Sequence, residues 1–172
     1  VTGRKVLLVF DGCYHGAVDD TLVDLVNGRT LTRRSLLGQA ADLSATTRSV
    51  PFNDVPALET ALAPGDVALI MAEPVMTNCS MIQPIPGFHD ALRQLTRQAG
   101  TLLLIDETHT LSTGLGGYTA LHGLDPDLFV AGKAVAGGVP AAVWGFTAEV
   151  ARRLDAARKS VPGGHSGIGT TL

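Results

Sequence analysis

The sequence predicts an α/β fold in which a mostly parallel sheet is flanked by helices. Short apolar segments alternate along the chain with amphipathic stretches, which is the order of elements in such folds. Apolar residues make up 45% of the 172 residues and charged residues only 17%. This composition is typical of strands that are buried on both faces. The length suits one domain with its own core.

Five apolar segments of four to six residues are predicted to be strands, because each is short and bounded by turn-forming residues. They are residues 5–10, 67–71, 101–105, 128–131 and 141–146. The connection between the last two is too short for a crossover helix. We therefore expect the final strand to run antiparallel to its neighbour.

Three segments have the apolar periodicity of helices, namely residues 55–63, 87–98 and 148–158. Either Asn53 or Asp54 is suited to cap the first helix, and Thr147 is suited to cap the third. Gly100 suits the end of the second helix. Residues 28–48 lack clear periodicity and are expected to form a long loop or an irregular insert.

The charge and the cysteines exclude several classes of function. A net charge of −3 and a pI of about 5.9 predict no general attraction to nucleic acid or to an anionic membrane. No apolar run approaches the roughly 18 residues of a membrane span, and no signal peptide is visible. Cys13 and Cys79 have no paired spacing, which favours reduced thiols in a cytoplasmic protein. The histidines show no metal-ligand spacing, so no metal site is expected.

Lys133 is the first candidate for chemistry. It follows the apolar segment 128–131 and precedes a glycine-rich stretch, whereas Lys5 and Lys159 have polar neighbours. A lysine at the end of a buried strand is expected to be poorly solvated, which lowers the pKa of the amine and makes it a nucleophile. A loop lysine that reaches for water is the alternative.

Asp106 and Glu107 form the second candidate, because they follow the apolar segment 101–105 at the edge where α/β proteins keep their sites. In ATPases a carboxylate at this position holds magnesium, but that function needs a phosphate-binding loop. Lys133 is followed by alanine instead of serine or threonine, so the nucleotide interpretation is weak. A carboxylate here can instead hold a proton on a heteroaromatic nitrogen.

Two further groups of polar residues follow predicted strands. Tyr14 and His15 come shortly after residues 5–10, and Glu73 follows residues 67–71. Each group alone is also explained by an ordinary turn. Their common position at strand ends makes them candidates for the same site.

Taken together and in this order, the motifs resemble those of class III aminotransferases, a branch of the fold-type I enzymes that use pyridoxal 5'-phosphate (PLP). The motifs are FDGCYHG (10–16), AEPVMTN (72–78), LLLIDETHT (102–110), GLDPDLFVAGKAVAGGVPAAVWG (123–145) and GIGTTL (167–172). Within the family they are most similar to glutamate-1-semialdehyde aminomutase-like members. The resemblance implies that residues 1–172 are the central part of the PLP-binding large domain of a longer polypeptide. The upstream phosphate-binding loop and the small domain would lie outside it, and the piece alone is expected to be inactive.

The resemblance also implies roles for individual residues. Lys133 would bind PLP covalently and act as the catalytic acid and base. Asp106 would pair with the pyridine nitrogen and keep it protonated, which lets the ring accept electrons. Tyr14 would stack on one face of the ring, and Thr108 would pack on the other.

Further residues are implied to surround the cofactor. His109 occupies the position of a side chain near the ring hydroxyl, and Glu73 would support the pocket. Thr171 matches a threonine that reaches the phosphate of the neighbouring subunit, which implies a homodimer with sites at the interface. Asn78 and His15 are expected at the substrate pocket, with His15 behind the residues that touch the cofactor.

The function implied is amino-group transfer from an amino acid or amine to a keto or aldehyde acceptor. The alternative is an aminomutase, in which one molecule exchanges its amino and carbonyl groups, and Asn78 favours this alternative. Two departures from the family bear on the substrate: Thr77 stands where glycine is usual, and ETHT replaces a more hydrophobic sequence after Asp106. A non-catalytic fragment or a binding module on the same scaffold is the alternative of another class.

Overall fold

The computed structural model describes residues 1–160, which form a six-stranded sheet, a separate hairpin and flanking helices. The strands are β1 (Val6–Phe10), β2 (Val23–Val26), β3 (Arg29–Thr32), β4 (Thr47–Val50), β5 (Val67–Ala72), β6 (Leu102–Asp106), β7 (Leu128–Ala131) and β8 (Val143–Phe146). The helices are α1 (Val55–Leu62), α2 (Phe88–Ala99), α3 (Gly117–Leu121) and α4 (Ala148–Lys159). The predicted α/β fold is confirmed.

The strand order in the large sheet is β4-β1-β5-β6-β7-β8. The pairs from β4 to β7 are parallel, and β8 is antiparallel to β7, as its short connection predicts. All five predicted strands are present. The carboxyl ends of β1, β5, β6 and β7 therefore meet at one edge of the sheet.

The residues that the sequence offers as helix caps are found at the ends of the helices. The Asp54 side chain accepts a hydrogen bond from the amide of Ala57 at the start of α1, and Thr147 caps α4 in the same way. Gly100 ends α2 in the left-handed conformation, with φ of 63°. Both caps and the helix end are confirmed, and Asp54 rather than Asn53 is the cap of α1.

The expectation of a long loop at residues 28–48 is wrong. This stretch contains β3 and the beginning of β4, and β3 forms an antiparallel hairpin with β2. The turn of the hairpin is Asn27–Gly28, and both residues have positive φ. An Asn-Gly pair between two short strands is a strong hairpin signal. The sequence of this stretch shows no clear periodicity because β2 and β3 are only four residues long and partly exposed.

The core lies between the sheet and the helices and contains a cluster of aromatic rings. Phe10 on β1 contacts Phe52 and Phe88 edge to face, with ring centroids 5.3 and 5.7 Å apart. Leu8, Ile70 and similar apolar side chains of the central strands are fully buried around it. This packing holds the central strands in place and so fixes the positions of the residues that follow them.

The carboxylate of Glu107 anchors the segment after β6. It is fully buried and accepts hydrogen bonds from the hydroxyl of Thr110 and from the amides of Tyr118 and Thr119 at the start of α3. A Cβ atom on Gly117 would lie 2.9 Å from the Glu107 carboxylate, and Gly117 has φ of 72°. Glu107 thus determines the position of α3, a helix that the periodicity did not predict.

We expect Glu107→Gln to lower the free energy of unfolding of the full-length protein by roughly 2–3 kcal/mol. One carboxylate oxygen becomes an NH₂ group that cannot accept a hydrogen bond from a backbone amide. Urea unfolding measures the change, and Glu59→Gln on the exposed side of α1 is the matched control. Equal stability of the two variants would contradict the anchoring role.

None of the helices within residues 1–160 is long and apolar enough to cross a membrane. Over the same residues, no group of three or more His, Cys, Asp or Glu side chains is arranged to hold a metal ion. Cys13 is a buried free thiol, and Cys79 is a partly buried free thiol.

Candidate active site

A cavity of about 210 Å³ lies at the carboxyl edge of the parallel strands. Its polar lining is contributed by the ends of β1, β5, β6 and β7 and consists of Tyr14, His15, Glu73, Asp106, Thr108, His109 and Lys133. Met71 and Val130 supply apolar surface. The structure therefore brings together residues that lie more than a hundred positions apart in the sequence. Larger grooves exist on the surface, but none of them gathers these candidate residues.

Asp106 is paired with His15 at the base of the cavity. The Nδ1 atom of His15 lies 2.8 Å from an Asp106 carboxylate oxygen, and both residues are buried. Burial has the largest single effect and lowers the pKa of His15, but hydrogen bonds and electrostatic attraction from Asp106 and Cys13 together outweigh it and raise that pKa to about 9. Burial likewise raises the pKa of Asp106, and hydrogen bonds from His15 and Thr108 bring it below its ordinary value. At neutral pH the pair is therefore an imidazolium and a carboxylate.

Asp106 and Glu107 point in different directions, although they are adjacent. Successive side chains at a strand end alternate between the two sides of the sheet. Asp106 lines the cavity, and Glu107 is fully buried against Thr110 and the start of α3. Of the two carboxylates that the sequence offered as candidates, only Asp106 belongs to the site.

Lys133 lines the cavity and lies two residues after the end of β7. It begins a short 3₁₀ turn with φ of 47°, a left-handed conformation that costs a residue with a Cβ atom about 1–3 kcal/mol. Its amine contacts the Nε2 atom of His109. Lys133 is exposed, so the expectation that burial activates this amine is wrong. The glycine-rich turn that follows β7 leaves one side of the lysine open to water.

His109 is held by a chain of hydrogen bonds that begins at Glu73. The buried Glu73 carboxylate accepts from the amide and the hydroxyl of Thr77, at 3.2 and 2.7 Å. The same Thr77 hydroxyl lies 2.8 Å from the Nδ1 atom of His109. Sequence reasoning noted Thr77 only as a departure from glycine and did not recognise it as a partner of His109.

The remaining candidates occupy different positions. Tyr14 is half exposed at the mouth of the cavity, and its amide donates to Glu73. The Thr108 hydroxyl accepts a hydrogen bond from the amide of Gly132, which ties β6 to the turn after β7. Asn78 is exposed and does not line the cavity. Thr171 lies outside the described residues.

We expect His15→Gln to make stability less dependent on pH between about 6.5 and 9. In the native wild type His15 keeps its proton up to pH 9, whereas an unfolded histidine loses it near pH 6.5. The contribution of His15 to stability is therefore complete below pH 6.5 and is lost as pH rises through 9. At pH 6 the wild type should exceed the variant by about 2 kcal/mol in free energy of unfolding.

Denaturant unfolding of the full-length protein at pH 6, 8 and 9.5 measures this difference. Asp106 makes stability depend on pH at the acidic end. Its contribution to the free energy of unfolding is complete above the ordinary aspartate pKa and is lost as pH falls through the lowered pKa of the folded state. His122→Gln, on an exposed histidine that stacks on Tyr118, is the matched control. A difference between wild type and His15→Gln that is constant with pH would contradict the charged pair.

Comparisons with a family model and with known proteins point to the same family. The family model described as Aminotransferase class-III matches residues 1–171. A glutamate-1-semialdehyde 2,1-aminomutase from Desulfotalea psychrophila is 39% identical over 153 residues, which cover 87% of this chain and 36% of that protein. The chain thus spans about a third of the length of the curated relatives it matches.

Two solved structures show the same fold. A variant of a glutamate-1-semialdehyde-aminomutase from Pseudomonas aeruginosa PAO1, in complex with PMP, superposes with a TM-score of 0.91 at 46% identity. The match covers 99% of this chain and 39% of that one. An omega-transaminase from Sphaerobacter thermophilus superposes with a TM-score of 0.78 at 30% identity, over 87% of this chain and 36% of that one.

Proposed function

Because the chain belongs to the class-III aminotransferase family, we propose that the whole protein transfers an amino group from an amino acid or amine to a keto or aldehyde acceptor, with PLP as its cofactor. The observation that carries this proposal is the shared cavity of Asp106 and Lys133. An ionised carboxylate and an exposed amine line one small space, with the half-exposed Tyr14 at its mouth. The PMP complex of the Pseudomonas aeruginosa relative supports the choice of cofactor.

The residues of the cavity fit PLP by size and by chemistry. A space of about 210 Å³ is below the range of drug-sized ligand pockets and suits a ligand with a single ring. The charged Asp106–His15 pair supplies a fixed negative charge for a protonated ring nitrogen. The Nε2 atom of His15 is buried and has no hydrogen-bond partner within residues 1–160. It is therefore a free polar atom at the edge of the site.

When bound, PLP supplies an electron sink that weakens the bonds at the substrate carbon bearing the amino group. Asp106 holds the proton on the ring nitrogen, and His15 keeps Asp106 ionised. Tyr14 would cover one face of the ring, and Thr108 would pack on the other. Glu73 supports this arrangement by binding the amide of Tyr14.

Lys133 is the group that we propose binds the cofactor covalently and then moves protons. With the cofactor bound, the freed amine of Lys133 would take the proton that leaves the substrate carbon and return it during the transfer. Its exposed position in the turn after β7 allows this motion.

The second candidate function is aminomutase chemistry, in which one molecule gives and receives the amino group. The aminomutases that resemble this chain at 39% and 46% identity support it. The asparagine at position 78 supports it too, because aminomutase-like members are expected to carry asparagine there. Thr77 and the sequence ETHT after Asp106 depart from the family pattern, so they favour neither substrate class. The two functions share every step carried by Lys133 and Asp106.

We propose further that residues 1–172 are the central part of the cofactor-binding large domain. The phosphate anchor and the small domain would then come from the rest of the protein. A homodimer with sites at the interface is proposed from the motif that contains Thr171. The free thiols of Cys13 and Cys79 support a location in the cytoplasm.

The full-length protein tests the function directly. We expect visible absorption at roughly 400–430 nm from bound PLP, a range set by the cofactor itself. Incubation with a panel of amino donors should bleach this band, and a keto acid or aldehyde should restore it. Conversion of glutamate-1-semialdehyde without any second substrate would identify the aminomutase. Absence of the band would favour a non-catalytic module, and ATP turnover without it would favour a nucleotide hydrolase.

A further inference from the structure

The backbone ladder between β6 and β7 ends just before Lys133. Its last hydrogen bond runs from the amide of Glu107 to the carbonyl of Val130, at 2.8 Å. In a regular parallel ladder the amide of Gly132 would next donate to the carbonyl of Glu107. Both lone pairs of that carbonyl are already engaged, because it accepts from the amides of Thr110 and Leu111. The Gly132 amide therefore needs another acceptor.

The side chain of Thr108 supplies this acceptor. Its hydroxyl oxygen accepts a hydrogen bond from the Gly132 amide at 3.2 Å. A Cβ atom on Gly132 would lie 3.8 Å from both the hydroxyl oxygen and the methyl carbon of Thr108, so the two residues are in close contact. Lys133 is the next residue in the chain. The hydroxyl thus connects the segment after β6 to the residue directly before the lysine.

The other polar contacts of Thr108 are with Asp106. The Thr108 amide donates to one oxygen of the Asp106 carboxylate at 3.0 Å, and His15 lies 2.8 Å from the other oxygen. Burial raises the pKa of Asp106, but hydrogen bonds from His15 and from the hydroxyl and amide of Thr108 bring it below its ordinary value. Thr108 therefore contacts the carboxylate on one side and the lysine turn on the other.

The backbone of Lys133 depends on such a contact because it is strained. With φ of 47° it lies in the left-handed region, and strained conformations persist only where the surrounding structure imposes them. The bond from the Val135 amide to the Gly132 carbonyl, at 3.3 Å, stays within the turn. Within residues 1–160, only the bond from Gly132 to Thr108 joins the backbone of residues 132–136 to another element.

We propose that the hydroxyl of Thr108 sets the separation between the Asp106 carboxylate and the Lys133 amine, so that both can hold one PLP ring. The nitrogen of that ring and its aldehyde carbon lie at opposite corners, which fixes the separation they require. The amine of Lys133 forms a C=N bond to the aldehyde carbon, and the aldehyde oxygen leaves as water with two hydrogens of the amine. Thr108 is a positioning residue in this role, which is separate from packing on the ring. The inference rests on the proposed function, in which both groups bind PLP.

Two variants of Thr108 separate the hydroxyl from the rest of the side chain. Thr108→Val keeps the shape but leaves the Gly132 amide without its acceptor, whereas Thr108→Ser keeps the hydroxyl and loses the methyl group. PLP is added to cofactor-free, full-length protein, and the rate at which the visible band appears is measured. We expect Thr108→Val to lower this rate about tenfold, because a displaced amine reaches a reactive geometry less often. Thr108→Ser should stay within about twofold of the wild type.

Two controls distinguish positioning from a general loss of stability. Urea unfolding of the same variants shows whether each is folded where the rate is measured, and a merely structural role would lower stability without changing the rate. Thr119→Val removes a buried hydroxyl that has no hydrogen-bond partner within residues 1–160 and does not line the cavity, so the rate should not change. If Thr108→Val does not fold, Thr108→Ala is compared with Thr108→Ser, because these two differ only in the hydroxyl.

The possible results separate this inference from the proposed function. If the wild type develops the visible band and Thr108→Val develops it at the same rate, the inference alone fails. Equal losses of rate in Thr108→Val and Thr108→Ser would also overturn it, because the hydroxyl would then not restore the geometry. If the wild type develops no such band, the proposed function itself fails.

Discussion

Replacement of Lys133 by alanine is expected to abolish covalent binding of PLP and to reduce amino transfer by about 10⁴-fold or more, the upper end of what a catalytic acid and base contributes. The amine is both the point of attachment and the group that moves the proton, and no other lysine lines the cavity. Stability should change little, because the side chain is exposed. The visible band near 400–430 nm, a rough range, should vanish from the full-length variant.

Two measurements separate this role from a general loss of positive charge. Borohydride reduction of the wild type should leave the cofactor attached to the peptide that contains Lys133. Lys5→Ala removes an exposed lysine at the far end of β1 and should keep both the band and the activity. Retention of the visible band in Lys133→Ala, or attachment of the cofactor to another residue, would refute the assignment.

Replacement of Asp106 by asparagine is the second large effect that we expect. The variant keeps the shape of the side chain, but it has no charge to hold a proton on the ring nitrogen. An unprotonated ring accepts electrons poorly. We expect kcat to fall by about 10²–10³-fold, the effect of removing one group that stabilises charge in a transition state. The effect on kcat should exceed that on KM, because the charge matters most when the proton leaves the substrate.

A matched control and a double variant sharpen this test. Asp90→Asn changes an exposed carboxylate on α2 and should leave kcat unchanged. His15→Gln should lower kcat less than Asp106→Asn, since His15 acts through Asp106. The double variant should be no worse than Asp106→Asn alone, because both changes interrupt one chain of interactions. Full additivity of the two single effects would show that His15 acts independently.

The sequence was informative wherever local chemistry decides the structure. The apolar segments that became β1, β5, β6 and β7 are short and are followed by polar residues or by glycine, so their boundaries are visible in the chain itself. Asp54, Thr147 and Gly100 cap helices through contacts with residues a few positions away. The antiparallel direction of β8 follows from the length of one connection.

Sequence reasoning was less successful where a structural element depends on a distant partner. The strands β2 and β3 are too short for a clear period, and the signal of their Asn27–Gly28 turn was overlooked. Helix α3 has five residues and depends on the buried Glu107 carboxylate, which lies before it in the chain. Neither element has enough local regularity to be recognised by hydrophobic pattern alone.

The sequence by itself determined that carboxylates, a lysine and an aromatic residue follow the predicted strands. Because a parallel sheet gathers the ends of its strands at one edge, these residues are expected to share one site. The hydrophobic pattern alone did not distinguish Asp106 from Glu107, and the tertiary structure shows that Asp106 faces the cavity, since adjacent residues point to opposite sides and packing chooses between them. The tertiary structure also decided that Lys133 is exposed against His109 rather than buried. Solvation and hydrogen-bond partners depend on segments far apart in the chain, and no local pattern records them.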